Sequence, residues 1–496
     1  MKNPFQIITR IAGVLALSLV AAARAQSSLP RSAPEAQGVS STELLAFIKA
    51  ADEQIDSMHG FLLVRHGHVI AEGWWTPYTA ERPHMLYSLS KSFTSTAVGL
   101  AVAEGKLSID DPVLNFFPEA APAEVSNNLK AMRVRDLLTM STGHQEQPAW
   151  AADTISPETF LAHPVPHLPG THFQYNTPAT FMLSAIVQKQ TGRKVVDYLG
   201  PRLFEPLGIA HPVWDETWQG ISQGGTGLHV RTEDIAKFGQ LYLQYGEWNG
   251  RQLIPRDWVD LATSRQVSNG SNPDSDWNQG YGFQFWRCRH GAYRGDGAFG
   301  QYCVVVPEED AVIAITSGVR NMQSVLNLLW DKLLPTFRPT SLPADAAASG
   351  RLKEFLEGLE VRGPSGAASS PQWSEVKGKT FRFAPNERHI ESLKLEPANH
   401  GFDLVMRAAG EERAIPCGHG VWRPGRGNLG ALIDTPLAGR FAWPEDDLCL
   451  IKVCAFETPY EFTLQLQFKG NELTLNGGSN VAFGPSRWPE LTARME

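Results

Sequence analysis

The sequence predicts an α+β domain followed by an antiparallel β module. Strand-like segments stand at both ends of the first 338 residues with helix-forming runs between them, so the first and last strands should meet in one sheet. Beyond residue 373, short alternating runs are divided by Asn/Gly turns. At 496 residues the chain is too long for one hydrophobic core. We therefore predict four parts: a signal peptide at 1–25, an α+β domain at 26–338, a linker with a short helix at 339–372, and a β-rich domain at 373–496.

The N-terminus has the pattern of an export signal. Lys2 and Arg10 precede an apolar run from Ile11 to Ala23, and a small-x-small site follows at Ala23-Arg24-Ala25. We expect cleavage near Ala25, a periplasmic or secreted enzyme, and no stable membrane anchor, because the run is short for a membrane span. Cleavage removes three cations and takes the formal charge from −8 to −11, which makes nucleic acid a poor partner.

The elements of the first domain are predicted from hydrophobic periodicity and from capping and turn residues. In chain order they are a helix at Ser41–Ile55, a hairpin of strands Phe61–Arg65 and His68–Glu72 with its turn at His66-Gly67, a buried helix from about Ser88 to Gly105, helices at Val134–Met140, Ala179–Gln190 and Glu233–Tyr245, strands at Gly282–Trp286, Phe299–Val306 and Ala311–Ser317, and a helix at Met322–Leu333. The linker contains a helix at Leu352–Leu359.

The five cysteines are an odd number, so at least one is unpaired within the chain. Cys449 and Cys454 are five residues apart in a strand-like run and should point to opposite faces. No cysteine spacing suggests a metal site.

The segment Ser88-Leu89-Ser90-Lys91 stands at the head of the predicted buried helix. A lysine three residues after a serine lies one helical turn away on the same face, so its amine and the hydroxyl can share a proton. The free N–H groups at the helix start favour negative charge at the serine and disfavour charge on the lysine. This is the chemistry of an activated nucleophile. The four-residue pattern is common by chance, so the prediction needs support from other motifs.

Three further segments supply that support, and they follow in a fixed order along the chain: Val134–Gly143, Pro169-Gly170-Thr171 with Tyr175, and Phe299–Glu308. With these motifs, residues 35–335 resemble the serine β-lactamase and penicillin-binding protein superfamily. The resemblance is to its class C-like branch, which includes carboxylesterases, D-aminopeptidases and 6-aminohexanoate-dimer hydrolases. It implies an antiparallel sheet with helices on both faces and an all-helical subdomain.

The resemblance also implies a role for each matched residue. Ser88 attacks a carbonyl and forms an acyl-enzyme, and Lys91 acts as the base. Tyr175 relays the proton to the leaving group and later helps to activate water. The backbone N–H of Ser88 and one from the segment Gly297-Ala298-Phe299 form the oxyanion hole. Neither a metal nor an organic cofactor is implied.

Two positions depart from the family's pattern. Thr177 stands where the branch often has Asn, two residues after Tyr175; its hydroxyl still offers Lys91 a partner, and the adjacent Asn176 could supply an amide if the loop adjusts. The K-T-G or H-x-G motif of the family begins with a cationic residue or a histidine, and alignment on Phe299-Gly300 puts Asp296 at that position. Asp296 stands within a Gly-Asp-Gly sequence that is also typical of a plain turn.

The presence of Asp296 at this position affects which substrates we expect. In β-lactamases and D-Ala-D-Ala peptidases that position helps to hold the substrate's carboxylate, which an aspartate would repel. We therefore expect an ester or an amide without an adjacent carboxylate, although Arg287, Arg289 or Arg294 could replace the missing cation. Two alternatives stay open: a β-lactamase or D-Ala-D-Ala-type peptidase, and a non-catalytic protein that binds peptidoglycan or another ligand in the same fold. The β module carries no motif with an assignable chemistry, and the oligomeric state stays open.

Overall fold

The structure is a computed structural model that describes residues 28–430 and 432–496. The predicted signal peptide at 1–25 lies outside these residues. The strands of the first domain are β1 Met58–Arg65, β2 His68–Trp74, β3 His84–Met85, β4 Val213–Trp214, β5 Leu228–Val230, β6 Glu247–Trp248, β7 Arg251–Gln252, β8 Trp286–Arg287, β9 Tyr293–Gly297, β10 Gln301–Val306 and β11 Ala311–Ser317. Its helices are α1 Ser41–Gln54, α2 Ser90–Ala103, α3 Asn127–Ala131, α4 Val134–Leu138, α5 Pro157–Ala162, α6 Thr177–Thr191, α7 Val195–Leu199, α8 Thr232–Leu243, α9 Arg256–Thr263 and α10 Met322–Leu328.

The centre of the first domain is a six-stranded antiparallel sheet in the order β2-β1-β11-β10-β9-β8. The first strand pairs with the last, with Leu62 opposite Ala314. Side chains alternate along β1, so that Leu62 packs into the core that contains α2, α6 and α8, whereas Phe61 and Leu63 pack into the core beneath α1 and α10. Helices therefore cover both faces of the sheet, and the predicted α+β fold is confirmed.

One predicted strand of the first domain is wrong. Residues 282–285 form a tight turn, and only Trp286 of that prediction enters a strand. Gln284 has φ 66°, a left-handed conformation that an extended strand cannot contain. The amide of Gln284 donates to the carbonyls of Leu137 and Leu138, which fixes the turn against α4.

The segment predicted as a linker packs against the first domain. Its helix, α11 Ala346–Glu357, begins earlier than expected because Asp345 caps it by accepting from the Ala348 N–H at 2.8 Å. The buried Leu352 joins the core beneath α1, and Lys49 of α1 lies over the Phe355 ring at 5.4 Å. The helix thus continues the layer that covers one face of the sheet.

The β module consists of one large sheet with its own core. After a short helix, α12 Trp373–Val376, its strands are β12 Thr380–Phe383, β13 Ile390–Ala398, β14 Gly401–Ala408, β15 Glu411–His419, β16 Arg423–Leu429, β17 Leu432–Glu445, β18 Leu448–Cys454, β19 Glu461–Lys469, β20 Glu472–Ser479 and β21 Leu491–Met495. The strand order is β15-β14-β13-β12-β21-β20-β19-β18-β17-β16, and an additional parallel pairing joins β15 to β17. Apolar side chains alternate inward along the strands and form a separate core.

A polar cluster joins the two parts, and we call it the junction cluster: the buried Ser57, His59 and Glu461 with the partly exposed Lys452. The Glu461 carboxylate accepts hydrogen bonds from Ser57 and from Lys452 Nζ, the latter at 2.6 Å, and lies 3.1 Å from His59 Nε2. Burial alone would raise the pKa of Glu461, but His59 and Lys452 lower it to about 2. The carboxylate is therefore ionised where the two parts meet.

Gly318, directly after β11, sets how closely the two parts approach. A Cβ at this position would lie 2.2 Å from the Pro459 carbonyl oxygen, 2.4 Å from Asn480 Nδ2 and 2.8 Å from Ser57 Oγ. The side chain of Asn480 donates to the carbonyls of Gly318 and Pro459, both at 2.8 Å. Only a hydrogen atom fits between the backbones here.

The five cysteines are all buried and free, and Cys449 and Cys454 are not bonded to each other. In the described part of the chain, no helix combines the length and apolar character needed to cross a membrane.

Candidate active site

Ser88 lies in a 3₁₀ turn, Tyr87–Leu89, directly before α2. The α-helix therefore begins two residues later than predicted. Ser90 links the turn to strand β5. Its Oγ donates to the Tyr87 carbonyl at 2.6 Å and accepts from the Leu228 N–H at 3.1 Å. Ser88 itself is half-buried, so the residue keeps part of its surface accessible.

Lys91 faces Ser88 from the first turn of α2, as the spacing predicts. The amine is buried and reaches three oxygens: Ser88 Oγ at 3.1 Å, Thr177 Oγ1 at 3.2 Å and the Gly225 carbonyl oxygen at 2.7 Å. None of these oxygens carries a formal charge. Burial lowers the pKa of Lys91 to about 7, with Asp296 acting in the opposite direction.

The three oxygens fit the neutral amine as well as the charged one. A neutral amine has two N–H bonds and one lone pair. The Gly225 carbonyl can only accept and Thr177 can also accept, which directs the lone pair to the Ser88 hydroxyl. In this state Lys91 can remove the proton from Ser88, as a general base must.

The Gly225 contact depends on a glycine-rich turn, Gly224-Gly225-Thr226-Gly227. A Cβ on Gly225 would lie 2.8 Å from Thr177 Cγ2 and 3.4 Å from Lys91 Nζ. Only glycine lets the backbone carbonyl approach the amine so closely. No predicted motif includes this group, although three glycines within four residues are a signal that could indicate it.

Tyr175 completes the group that we call the catalytic cluster: Ser88, Lys91, Tyr175 and Thr177. The Tyr175 phenol is within hydrogen-bonding reach of Ser88, and its ring centroid lies 5.1 Å from Lys91 Nζ. Its ring stacks on Trp286, with centroids 5.4 Å apart. Burial and the charge of Asp296 raise the pKa of Tyr175, so the phenol keeps its proton at neutral pH and acts as a donor.

Asn176 does not face Lys91, which corrects the suggestion that its amide supports the lysine. It is the N-cap of α6, where its Oδ1 accepts from the Ala179 N–H at 3.0 Å. Its Nδ2 lies 3.3 Å from Thr142 Oγ1 and 3.1 Å from His144 Nδ1. The cap fixes the first turn of α6, and Thr177 of that turn is the residue that reaches Lys91.

Asp296 is part of strand β9, which corrects the reading of Gly-Asp-Gly as a plain turn. The carboxylate is buried and accepts from Arg294 Nε at 2.9 Å. Residues two apart on a strand share a face, so the pair is a local consequence of the sequence. Burial raises the pKa of Asp296 although Arg294 and Trp286 oppose this. The aspartate lies close enough to Lys91 and Tyr175 to raise the pKa of both.

The three arginines proposed as replacement cations each have other partners. Arg294 is committed to Asp296, Arg289 pairs with Asp276 at 2.9 Å, and Arg287 donates to the backbone carbonyls of Thr263 and Gly291.

The segment Gly297-Ala298-Phe299 lies against the nucleophile turn. A Cβ on Gly297 would be 1.9 Å from the Leu86 carbonyl oxygen. Ala298 and Phe299 are half-buried, whereas the Phe299 carbonyl is occupied by the Val319 N–H and the Ser317 hydroxyl. The approach agrees with an oxyanion donor from this segment, which stays a prediction.

The Ser88 hydroxyl, the buried Lys91 amine and the Tyr175 phenol thus lie together in the half-buried surroundings of Ser88. Among residues 28–430 and 432–496, no three His, Cys, Asp or Glu side chains converge as a metal site requires. Fold and site together define a serine hydrolase, in which a lysine and a tyrosine lie beside the serine.

Comparison with known proteins places the chain in a family. The family model described as Beta-lactamase matches residues 47–325, which is more than half of the chain, and the protein therefore belongs to the β-lactamase family. A 6-aminohexanoate-dimer hydrolase of Paenarthrobacter ureafaciens is 27% identical over 283 residues, which is 51% of this chain and 70% of that protein. A D-aminopeptidase of Brucella anthropi is 26% identical over 183 residues, which is 34% of each chain.

A solved structure from Bacillus anthracis that carries the name of a 6-aminohexanoate-dimer hydrolase shares the fold. Its TM-score is 0.50 at 19% identity, and the match covers 62% of this chain and 86% of that chain. The predicted resemblance and the assignment as a serine hydrolase are confirmed.

Proposed function

We propose that this enzyme is exported and cleaves an ester or amide bond through an acyl-enzyme at Ser88. The observation that carries the proposal is the contact of Lys91 Nζ with Ser88 Oγ at 3.1 Å, in a setting where every other contact of the amine is a neutral oxygen. Such an amine can be unprotonated near neutral pH, which the reaction requires.

Acylation follows from the positions of three groups. Ser88 Oγ bonds to the carbonyl carbon while its proton passes to the lone pair of Lys91. The carbonyl oxygen gains the negative charge, which backbone N–H groups at Ser88 and the Gly297–Phe299 segment would stabilise. Tyr175 then donates its proton to the departing nitrogen or oxygen and recovers one from Lys91. In deacylation, water attacks the acyl carbon and its proton passes through Tyr175 to Lys91. Lys91 returns a proton to Ser88 Oγ as the ester bond breaks, and the acid is released.

The charge near the site supports a substrate without an adjacent carboxylate. Asp296 and Arg294 form a buried pair, so the arginine has no free charge to offer to a substrate anion. A substrate carboxylate beside Asp296 would be repelled, more strongly in the dry site than in water. The names of the relatives, a 6-aminohexanoate-dimer hydrolase and a D-aminopeptidase, support substrates other than β-lactams.

Labelling with a fluorescent fluorophosphonate probe tests the acyl-enzyme. We expect the parent protein to be labelled and Ser88→Ala to lose the label. Ser95→Ala is the matched control: Ser95 is buried on the same helix and its hydroxyl has no hydrogen-bond partner within the described residues. An unlabelled parent, or a label that persists in Ser88→Ala, would contradict the proposal and favour the binding-protein alternative.

A second measurement tests the substrate class. We expect the purified enzyme to hydrolyse p-nitrophenyl butyrate with a higher kcat/KM than a chromogenic cephalosporin. Faster turnover of the cephalosporin would show a β-lactamase and would refute the argument from Asp296.

Export rests on the basic and apolar pattern of residues 1–25. We expect the protein recovered from the periplasm or medium of a producing Gram-negative host to begin at Gln26. An intact N-terminus in the cytoplasmic fraction would contradict this part of the proposal.

A further inference from the structure

Five aromatic residues from distant parts of the chain gather beside the nucleophile, and we call them the aromatic wall: Tyr87, Trp150, Phe299, Tyr460 and Phe483. The ring of Phe483 lies 5.5 Å from Tyr87, 4.9 Å from Phe299 and 6.2 Å from Trp150. The hydroxyls of Tyr87 and Tyr460 share a hydrogen bond. Tyr460 and Phe483 belong to the β module, so the wall is built by both parts of the protein.

Two members of the aromatic wall are next to, or part of, the backbone segments expected to take part in the reaction. Tyr87 directly precedes Ser88, and Phe299 lies in the segment expected to supply an oxyanion donor. Both have positive φ values, 48° for Tyr87 and 68° for Phe299, which bulky residues rarely adopt. Such conformations persist where the surroundings enforce them, and they concentrate at functional sites.

The outer part of the wall is open to solvent. Phe483 is 64% exposed and Trp150 is 38% exposed, although the two rings meet edge to face. Exposed aromatic side chains grouped beside a reactive residue are typical of surfaces that a ligand covers. Lys91 and Tyr175 also lie beside Ser88, and they supply the polar contacts of its hydroxyl.

We propose that the aromatic wall holds the apolar part of the substrate's acyl group, so that the β module helps to determine specificity. The inference rests on the proposed function, because Tyr175 as proton donor marks the side on which the leaving group departs. With the carbonyl oxygen directed at the Gly297–Phe299 segment, the acyl chain extends toward Tyr87, Phe299 and Phe483. Aliphatic or aromatic acyl groups of several carbons match this surface, and an acetyl group is too short to reach Phe483.

The test compares p-nitrophenyl hexanoate with p-nitrophenyl acetate, which share a leaving group. We expect the parent to favour hexanoate in kcat/KM by about tenfold or more, since each methylene in an apolar pocket contributes to discrimination. Phe483→Ala should reduce the hexanoate-to-acetate ratio at least fivefold (about 1 kcal/mol). Tyr460→Phe, which removes only the hydroxyl that holds Tyr87, should reduce it by a smaller factor. Val421→Ala, which truncates another exposed apolar side chain of the β module, should leave the ratio unchanged.

The outcomes separate this inference from the proposed function. A parent that neither hydrolyses the esters nor takes the fluorophosphonate label contradicts the proposed function. If the parent is labelled and active but prefers acetate, or if Phe483→Ala keeps the parent's ratio while its thermal unfolding matches the parent's, the aromatic wall does not bind the acyl group.

Discussion

The catalytic cluster and the junction cluster contain the same kinds of side chain and use them in opposite ways. Each brings a serine hydroxyl and a lysine amine together where distant segments meet. In the catalytic cluster, Lys91 contacts only neutral oxygens. In the junction cluster, Lys452 contacts the Glu461 carboxylate at 2.6 Å.

The difference shows what a contacting carboxylate does to a buried site. Without one, desolvation dominates and brings the pKa of Lys91 to about 7, so the amine can accept a proton. With one, the charges stabilise each other, and the pKa of Glu461 falls to about 2. The first arrangement provides a base and the second a fixed ionic contact between the two parts of the protein.

The largest effect is expected when the neutral lysine is removed. Lys91→Met should lower kcat/KM for an ester by about 10³-fold, within the range that general bases contribute. It should not lower the free energy of unfolding, because methionine needs no solvation. Below pH 7 the buried ammonium lowers the free energy of unfolding by its full desolvation cost. This cost declines as pH rises from about 7 toward 10.5, because the folded protein no longer holds the charge. The stabilisation by Lys91→Met should therefore be greater at pH 6 than at pH 9.

Lys237 provides the matched control. It is equally buried in α8, but lies 3.5 Å from the Asp234 carboxylate. Lys237→Met should keep the ester activity and lower the free energy of unfolding in urea, since it leaves a buried carboxylate with one cation fewer. Equal losses of activity in the two variants would contradict the distinction between the two lysines.

A smaller effect, on stability, is expected at the junction. Glu461→Gln removes the charge that Lys452 and His59 face and should cost about 3 kcal/mol in chemical denaturation. Glu457→Gln, which breaks the more exposed contact with Arg82, should cost less than about 1 kcal/mol. If both variants unfold at the same urea concentration, the junction cluster does not hold the two parts together.

The pH dependence of activity should report Lys91 directly. Because only the neutral amine accepts the proton of Ser88, kcat/KM should rise with pH and level off above about 7. Below the midpoint it should fall about tenfold per pH unit. A flat profile between pH 5 and 8 would show that another group limits the reaction.

The smallest effect is expected when the more distant anion is removed. Asp296 raises the pKa of Lys91, so Asp296→Asn should move the acid limb of kcat/KM to lower pH, by less than about one unit. The unpaired charge of Arg294 acts in the same direction. Asp276→Asn also breaks a buried pair with an arginine, but it should leave the limb in place. A shift to higher pH would contradict the electrostatic role of Asp296.

The sequence predicts the parts of the site that depend on local geometry. Ser88 and Lys91 are one helical turn apart, and the motif order brings in Tyr175. The pair of Arg294 and Asp296 was predictable in the same way, since they are two residues apart on a strand, but the flanking glycines favoured a turn.

The remaining parts depend on tertiary contacts that leave no periodic signal. The Gly225 carbonyl reaches Lys91 across 134 positions of the chain. Tyr460 and Phe483 lie in loops of the β module, whose strand pattern does not indicate where its loops point. The sequence of the tight turn at 282–285 predicts a strand because its apolar residues also suit a half-buried strand.

The close packing at Gly318 couples the contact between the two parts to the position of the aromatic wall. The carbonyl of Pro459, directly before Tyr460, lies where a methyl group on Gly318 would stand. A single added carbon would push the Pro459 carbonyl away and move Tyr460, which supports Tyr87, without contacting the aromatic wall itself. If the aromatic wall binds the acyl group as proposed, a substitution at Gly318 should change which acyl groups bind without altering Ser88, Lys91 or Tyr175.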